Sequence, residues 1–344
     1  MSRSPLVIVP YRSFGTPTAL LLRGRVLYEK TPDVADISHS IWRNLRNALR
    51  RIDSHEAPGV TVEARYQNQQ LQTVTDHEGY FDLHLPLTEP IAAEGGWQAV
   101  SLSLVEAVTD KRLAPTTAEV LVPSASARYG IISDIDDTVL QTGATSFVRT
   151  TLAILLQNAA TRLPFRGVAA LYRALYAGYT GNERNPIFYV SSSPWNLYDF
   201  LVEFMQLRGI PAGPVFLRDY SFTMIAHKFS HDHKLESMRS VLEAYPDLPF
   251  VLMGDSGQQD PELYTRLAET HPGRVRAIYI RDVSGDRRDA AIDAMADALR
   301  AQGVPLLRVA DSLAAAVSAV ELGLLPAAAV ESVRAAMTAE ETGG

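Results

Sequence analysis

There is no cysteine among the 344 residues. That excludes disulfides, thiolate metal sites and thiol nucleophiles together. Nowhere does the chain approach the roughly 18 consecutive apolar residues of a membrane-spanning helix. The apolar run near the start stops at Pro10, too short for the core of a secretory signal, so a cytoplasmic location is expected. Positive charge is not in surplus: 32 basic against 39 acidic residues leave a formal charge of −7. A global nucleic-acid footprint needs the opposite sign, and no nucleic-acid partner is expected. Internal repeats and low-complexity tracts are also missing. With 47% apolar and 21% charged residues the chain has the composition of a folded protein, not a disordered one. At roughly 150 residues per domain, the length implies two domains or three.

Two patterns divide the chain. Up to about residue 125, apolar residues alternate: Val60, Val62, Ala64 and Tyr66; Phe81, Leu83 and Leu85; Ala118, Val120 and Val122. Period two marks strands with one buried face. Pro58-Gly59 and Asp76-His77-Glu78-Gly79 supply turns between them. Residues 1–125 are therefore expected to form an all-β, sandwich-like domain. The stretch TVTDHEGYFDLHL resembles part of the transthyretin-like or carboxypeptidase-regulatory-like sandwich modules. One segment breaks the pattern. Ile37, Ile41, Leu45, Leu49 and Ile52 have helical spacing, with Arg43, Arg46, Arg50 and Arg51 off that stripe and Trp42 beside it. Such a helix over 37–52 either covers a core or lies on an anionic membrane surface as a peripheral contact.

After Ser124 the apolar runs are continuous: YGIISD, IFYVS, GPVFLRD, PFVLMGD, VRAIYIRD and VPLLRV, separated by helical patterns. Unbroken apolar runs suit strands buried on both faces of a parallel sheet, and strand–helix alternation implies βαβ units. Residues 126–325 are expected to form a doubly wound α/β domain, followed by a helical tail over 326–344. Several of these runs end in Ser or Asp. In such sheets ligands bind beyond the carboxyl ends of the strands, so a site is expected there.

The chemistry concentrates at those ends. IISDIDDTVL places Asp134 and Asp136 two apart, with Asp137 and Thr138 next, just past a buried strand. Clustered carboxylates repel one another unless a cation offsets them, and a hard oxygen-binding ion such as Mg²⁺ is the natural one. An acidic helix cap is the plain alternative. In IFYVSSSPWNLY, Ser191 is the first polar residue past the strand, and Ser193-Pro194 reads as an N-cap followed by a first helical proline. The helix start would offer free N–H groups to an anion. In VLMGDSGQQDPELY, Asp255 and Asp260 again stand at a strand end. Lys234 precedes the helical pattern Leu235, Met238, Val241, Leu242, where it is either a solvated charge or a cation aimed into the acidic site.

DIDDT, a strand-end Ser, a Lys and GDSGQQD, in that order, resemble the four motifs of the haloacid dehalogenase (HAD) phosphatase superfamily. The wording SDIDDTVL, YVSSSPWNLY, FLRDY, HKLESM and MGDSGQQDPELY resembles more narrowly the catalytic domain of the actin-patch-associated phosphatidate phosphatase family and its prokaryotic relatives, over about residues 125–285. The resemblance implies a HAD-like fold and a Mg²⁺-dependent phosphatidate phosphatase that releases diacylglycerol and phosphate through an aspartyl-phosphate. It implies Asp134 as nucleophile and Asp136 as general acid, then base. It implies Mg²⁺ on Asp134, the carbonyl of Asp136, and Asp255, with Asp260 completing or orienting that shell. Ser191 would bind the phosphoryl group, Lys234 would neutralise its charge, and Thr138 would brace the loop. The alternatives are the same chemistry on a soluble nucleotide or sugar phosphate, or a non-catalytic binding module. The protein partner of the N-terminal domain is not indicated.

Several residues stay open. Arg218, past the third continuous run, either clamps the substrate phosphate or pairs with a carboxylate such as Asp219. Arg281-Asp282 poses the same question. Trp195 either leans over the pocket or packs a helix. His227, His231 and His233 are either a loop at the mouth of the site or, with less suitable spacing, a second metal site or proton relay.

Overall fold

A computed structural model describes residues 5–28, 56–105, 115–135, 166–218, 230–283 and 288–342. The helix expected over 37–52, together with Asp136, Asp137, Thr138, Asp219, His227 and the side chain of His231, lies outside the described residues. Two compact units emerge. The first is built mainly from residues up to Ala125, with Asn196–Phe200 and Gly213–Val215 grouped with it.

The first unit holds β1 (Leu6–Pro10), β2 (Ser13–Thr16), β3 (Ala19–Tyr28), β4 (Thr61–Tyr66), β5 (Gln69–Val74), β6 (Tyr80–Pro86), β7 (Gly96–Val105) and β8 (Thr116–Val122). The alternation works as period two requires: β6 buries Phe81, Leu83 and Leu85 and exposes Asp82, His84 and Pro86. Its turn is built by Asp76, whose carboxylate accepts from the N–H groups of Glu78 and Tyr80, both at 2.9 Å. Gly79 closes that turn at φ 80°, where a Cβ would lie 2.5 Å from the Val26 carbonyl oxygen.

Rather than two separate sheets, the eight strands form one hydrogen-bonded sheet, ordered β1-β3-β2-β8-β7-β4-β5 with β6 on β3. The registered pairs are antiparallel except β2 with β8. Leu20, Val26, Val62, Phe81, Val100 and Val120, from five different strands, share one core. Gln69 on β5 donates to the Pro86 carbonyl and accepts from the Thr88 N–H, tying that edge to the end of β6. Alternation reports which face of a strand is buried. It does not report which strands are neighbours, and so it does not separate a sandwich from one continuous sheet.

The second unit carries a six-stranded sheet. Its elements in chain order are β9 (Gly130–Asp134), α1 (Val168–Ala177), β10 (Ile187–Pro194), a 3₁₀ turn (Trp195–Leu197), α2 (Tyr198–Leu207), β11 (Val215–Arg218), α3 (Ser230–Ala244), β12 (Phe250–Asp255), α4 (Asp260–Thr270), β13 (Val275–Arg281), α5 (Asp289–Arg300), β14 (Leu306–Val309), α6 (Ser312–Glu321) and α7 (Ala328–Thr342). The order is β11-β10-β9-β12-β13-β14, and all registered pairs are parallel. Ile131, Ile132, Phe188, Val251 and Leu252 are all buried, as strands covered on both faces require. α1, α6 and α7 pack together, and α4 packs with α3 and α5. The tail helix α7 buries Ala329 and Val333.

The order reverses at the centre. From β9 the chain winds out through β10 to β11, then returns and winds the other way from β12. β9 and β12 are therefore neighbours whose next strands, β10 and β13, lie on opposite sides, which makes the space beyond their carboxyl ends a topological switch point. No helix among the described residues is long and apolar enough to cross a membrane.

Candidate active site

Asp134 is the last residue of β9 and Asp255 the last of β12, so the reversal brings both to one crevice. Strand register sets their level. Val190 pairs with Asp134, and Met253 with Ser133, so Ser191 lies one step past Asp134 on one side and Gly254-Asp255 follow on the other. Asp260 arrives from below, as the first residue of α4, and is fully buried. Gly254 makes room for it: a Cβ there would lie 2.4 Å from Asp260 Oδ2. Oxygens of Asp134, Asp255 and Asp260 all come within 4.8 Å of one another.

Lys234 lies in the second turn of α3 and is 4% exposed. Of the two readings of this lysine, the solvated charge is excluded by burial. Its Nζ stands 3.1 Å from Asp134 Oδ1, 3.1 Å from Asp260 Oδ1 and 3.2 Å from Gln258 Oε1. An ammonium has three protons to donate, and three acceptors surround this one, which is what makes its burial tolerable.

The acids are held by their own loop. Asp255 Oδ1 accepts from the N–H groups of Gly257 at 2.7 Å and Gln258 at 3.0 Å. Asp260 Oδ2 accepts from the Asp255 N–H at 3.2 Å. The Asp255 carboxyl is pushed up to about 6, first by burial and then by the charge of Asp260, against the pull of the two amides and Lys234. Among the described residues, these three carboxylates and Lys234 taken together carry an excess of negative charge. That donor set, all hard oxygen, fits a divalent cation of the Mg²⁺ type.

Tyrosines brace the strand ends. Tyr264 donates to the Met253 carbonyl at 2.9 Å, and burial holds its hydroxyl well above the ordinary range, so it stays a neutral donor. Ser133 Oγ donates to the Asp134 carbonyl at 2.9 Å, and the Tyr172 hydroxyl lies 2.5 Å from Ser133 Oγ. A cavity of about 80 Å³ adjoins Asp134 and Asp255, lined among others by Tyr172, Met253, Tyr279 and Arg281.

The expected N-cap at Ser193 is not there. β10 continues through Ser191, Ser192 and Ser193 to Pro194, and the chain first turns helical in the 3₁₀ segment from Trp195. The reason is local: Ser191 Oγ accepts from the Ser193 N–H at 2.9 Å, a side-chain turn that takes the place of a cap. Ser191 itself is fully buried. Arg218 and Arg281 are the last residues of β11 and β13, both half-buried. Asp282 is tied to Arg308 at 3.1 Å. Trp195 is buried, and His233 is half-buried in α3. Among the described residues no His joins a metal-holding cluster. Gln258 carried no signal of its own beyond the GDSGQQD run, and Tyr172, Tyr264 and Ser133 had none.

Residues 129–282 match the model of the family described as "Phosphatidate phosphatase APP1, catalytic domain". The chain is 33% identical over 162 residues to phosphatidate phosphatase APP1 of Saccharomyces cerevisiae, covering 46% of this chain and 27% of that protein. It is 26% identical over 219 residues to an uncharacterized protein of Schizosaccharomyces pombe, covering 63% of this chain and 35% of that one. It thus spans about a quarter to a third of the length of the curated relatives it matches. A carbohydrate acetylesterase from Xanthomonas citri aligns with 80% of this chain and 68% of its own at 10% identity, with a TM-score of 0.29 that implies neither fold nor function.

Proposed function

We propose, from the resemblance of residues 129–282 to a phosphatidate phosphatase catalytic domain, that the second unit is a HAD-type phosphomonoesterase. Its substrate in this reading is phosphatidate, and its products are diacylglycerol and phosphate. The observation that carries the reading is the buried Lys234 joined to Asp134 and Asp260 beside Asp255, at the reversal of a parallel sheet. A structural ion pair needs one acid per cation. An excess of acid around one buried lysine suits a site that receives further positive charge together with a phosphate dianion.

In this reading Asp134 attacks phosphorus, the phosphorus–alkoxide bond breaks, and Asp136 gives its proton to the departing alcohol. Asp136 then takes a proton from water, whose oxygen attacks the aspartyl-phosphate and frees phosphate and Asp134. Lys234 stands where it offsets charge on Asp134 and on the phosphoryl group, with Gln258 and Asp260 fixing its direction. Ser191, within the C-terminal half of β10, and Arg218, at the end of β11, are the further phosphate-binding candidates. Asp134, Asp255 and the Asp136 segment would hold Mg²⁺, which supplies neutralising charge to the phosphoryl oxygens. Asp260 orients this set more than it ligates, because Lys234 and the Asp255 N–H already engage its two oxygens.

Phosphate release from phosphatidate and from soluble nucleotide and sugar phosphates, with and without Mg²⁺, tests this reading. Ion-dependent release from phosphatidate above all soluble esters is expected. Full activity after exhaustive chelation would overturn the site. Release from soluble esters alone would keep the chemistry and overturn the substrate.

A further inference from the structure

We propose that Arg288 is the positioning residue of the acidic loop between β12 and α4. The proposal rests on the phosphatase reading for the purpose of that loop, not for its geometry. The loop aims the Gly257 and Gln258 N–H groups at Asp255, and it sends the Gln258 side chain to Lys234. A turn whose amides point inward leaves carbonyls elsewhere that need partners of their own. Arg288 supplies them. One guanidinium nitrogen donates to the Ser256 carbonyl at 2.7 Å and to the Gln258 carbonyl, and the other pairs with Glu262 on α4. A planar, rigid fork can hold three oxygens in one geometry, which a flexible lysine cannot.

The fork is itself mounted firmly. Arg288 stands at the N-cap of α5. The next residue, Asp289, pairs with Arg308 at 2.6 Å, and Arg308 also binds Asp282 at 3.1 Å and Asp293 at 3.2 Å. The same neighbourhood grips Ser256: its N–H donates to the Arg281 carbonyl at 2.8 Å, and its Oγ accepts from the Val283 N–H at 2.9 Å. Arg288 reaches Asp255 and Lys234 only through the loop. It is distinct from the acids that would touch metal or phosphate.

The test uses the full chain and Mg²⁺ as the probe. Arg288→Gln should weaken Mg²⁺ binding by calorimetry about 10- to 100-fold, as loss of an outer partner of a metal ligand does. In the metal-free protein it should speed hydrogen exchange of the Gly257 and Gln258 amides about tenfold relative to Leu252 in the strand. Glu262→Gln removes the ion pair and leaves both carbonyl bonds, so both readouts should stay within about threefold of wild type. Arg288→Lys should fall between. If Arg288→Gln behaves as wild type in both, or Glu262→Gln matches it in both, the assignment is wrong. Should Arg288→Gln fail to fold, Arg288→Lys decides on the same readouts, wild-type values overturning the proposal. If no ester is hydrolysed yet the exchange shift appears, the phosphatase reading fails and the role of Arg288 stands.

Discussion

The two units each bury acid, and they do it differently. In the first, Glu63 on β4 is 1% exposed, with Arg65 Nε 2.6 Å from one carboxylate oxygen and Gln72 donating to the other at 3.0 Å. Both partners lie on the same strand pair, so the sheet supplies the neutralising charge as it forms. In the second, Asp134 and Asp260 share Lys234 with Asp255 beside them, and none of the four is contributed by the same element as another except through the loop joining β12 to α4. The first arrangement is complete as folded. The second gathers three acids around Lys234, and there the Asp255 carboxyl is raised, first by burial and then by the charge of Asp260. Buried acid matched within its own sheet is architecture. Buried acid gathered by several elements around one cation is what marks the candidate site.

The sharpest way to break this contrast is Asp134→Asn. It keeps shape and removes the proposed nucleophile, so turnover should fall about 10⁴-fold or more. It also removes one of the crowded charges. Metal-free melts by circular dichroism should therefore show no loss of stability relative to wild type. Phosphate release near the wild-type rate would take Asp134 out of its role.

Asp255 gives the next test. Its carboxyl sits at about 6 when folded, against an ordinary 3.8. Folding therefore takes up a proton between those values, and the stability of the metal-free protein should fall as pH rises through the window from 3.8 to 6. The fall should total about 3 kcal/mol, and it should vanish in Asp255→Asn. A divalent ion competes with the same proton. Mg²⁺ affinity should be flat above pH 6 and fall about tenfold per unit below it. Calorimetric titrations that show affinity rising as pH falls would contradict the assignment.

Much of this could be read before folding, for identifiable reasons. Ile131-Ile132, Phe188–Val190 and Val251–Met253 announce two-faced burial because no polar residue interrupts them, and the acids that follow mark the strand ends. Phe81, Leu83 and Leu85 announce a one-faced strand. What could not be read depends on neighbours distant in sequence. The single continuous sheet rests on pairings such as β2 with β8, more than 100 residues apart. The extension of β10 through Ser193 turns on one bond to Ser191 that competes with capping. Lys234 stands 26 residues from Asp260, and only the fold of α3 against α4 makes them partners. Arg288 acts on backbone carbonyls, which carry no signature in any sequence.

The smallest effect tests the other half of the contrast. Glu63→Gln keeps the side chain's size and one acceptor but removes its charge, and it turns an amide donor toward Arg65 or Gln72, which are donors already. Arg65 is 41% exposed and can turn to water, so the cost is that of a partly screened pair and one frustrated hydrogen bond, about 1–2 kcal/mol. Thermal melts should drop by a few degrees. Among the described residues β4 contributes none of the side chains that hold Asp134, Asp255, Asp260 and Lys234, so Mg²⁺ affinity and turnover should stay at wild-type values. A loss of Mg²⁺ affinity in Glu63→Gln comparable to that of Asp255→Asn would mean that the two acids belong to one electrostatic system, and the distinction between matched and unmatched burial would not hold.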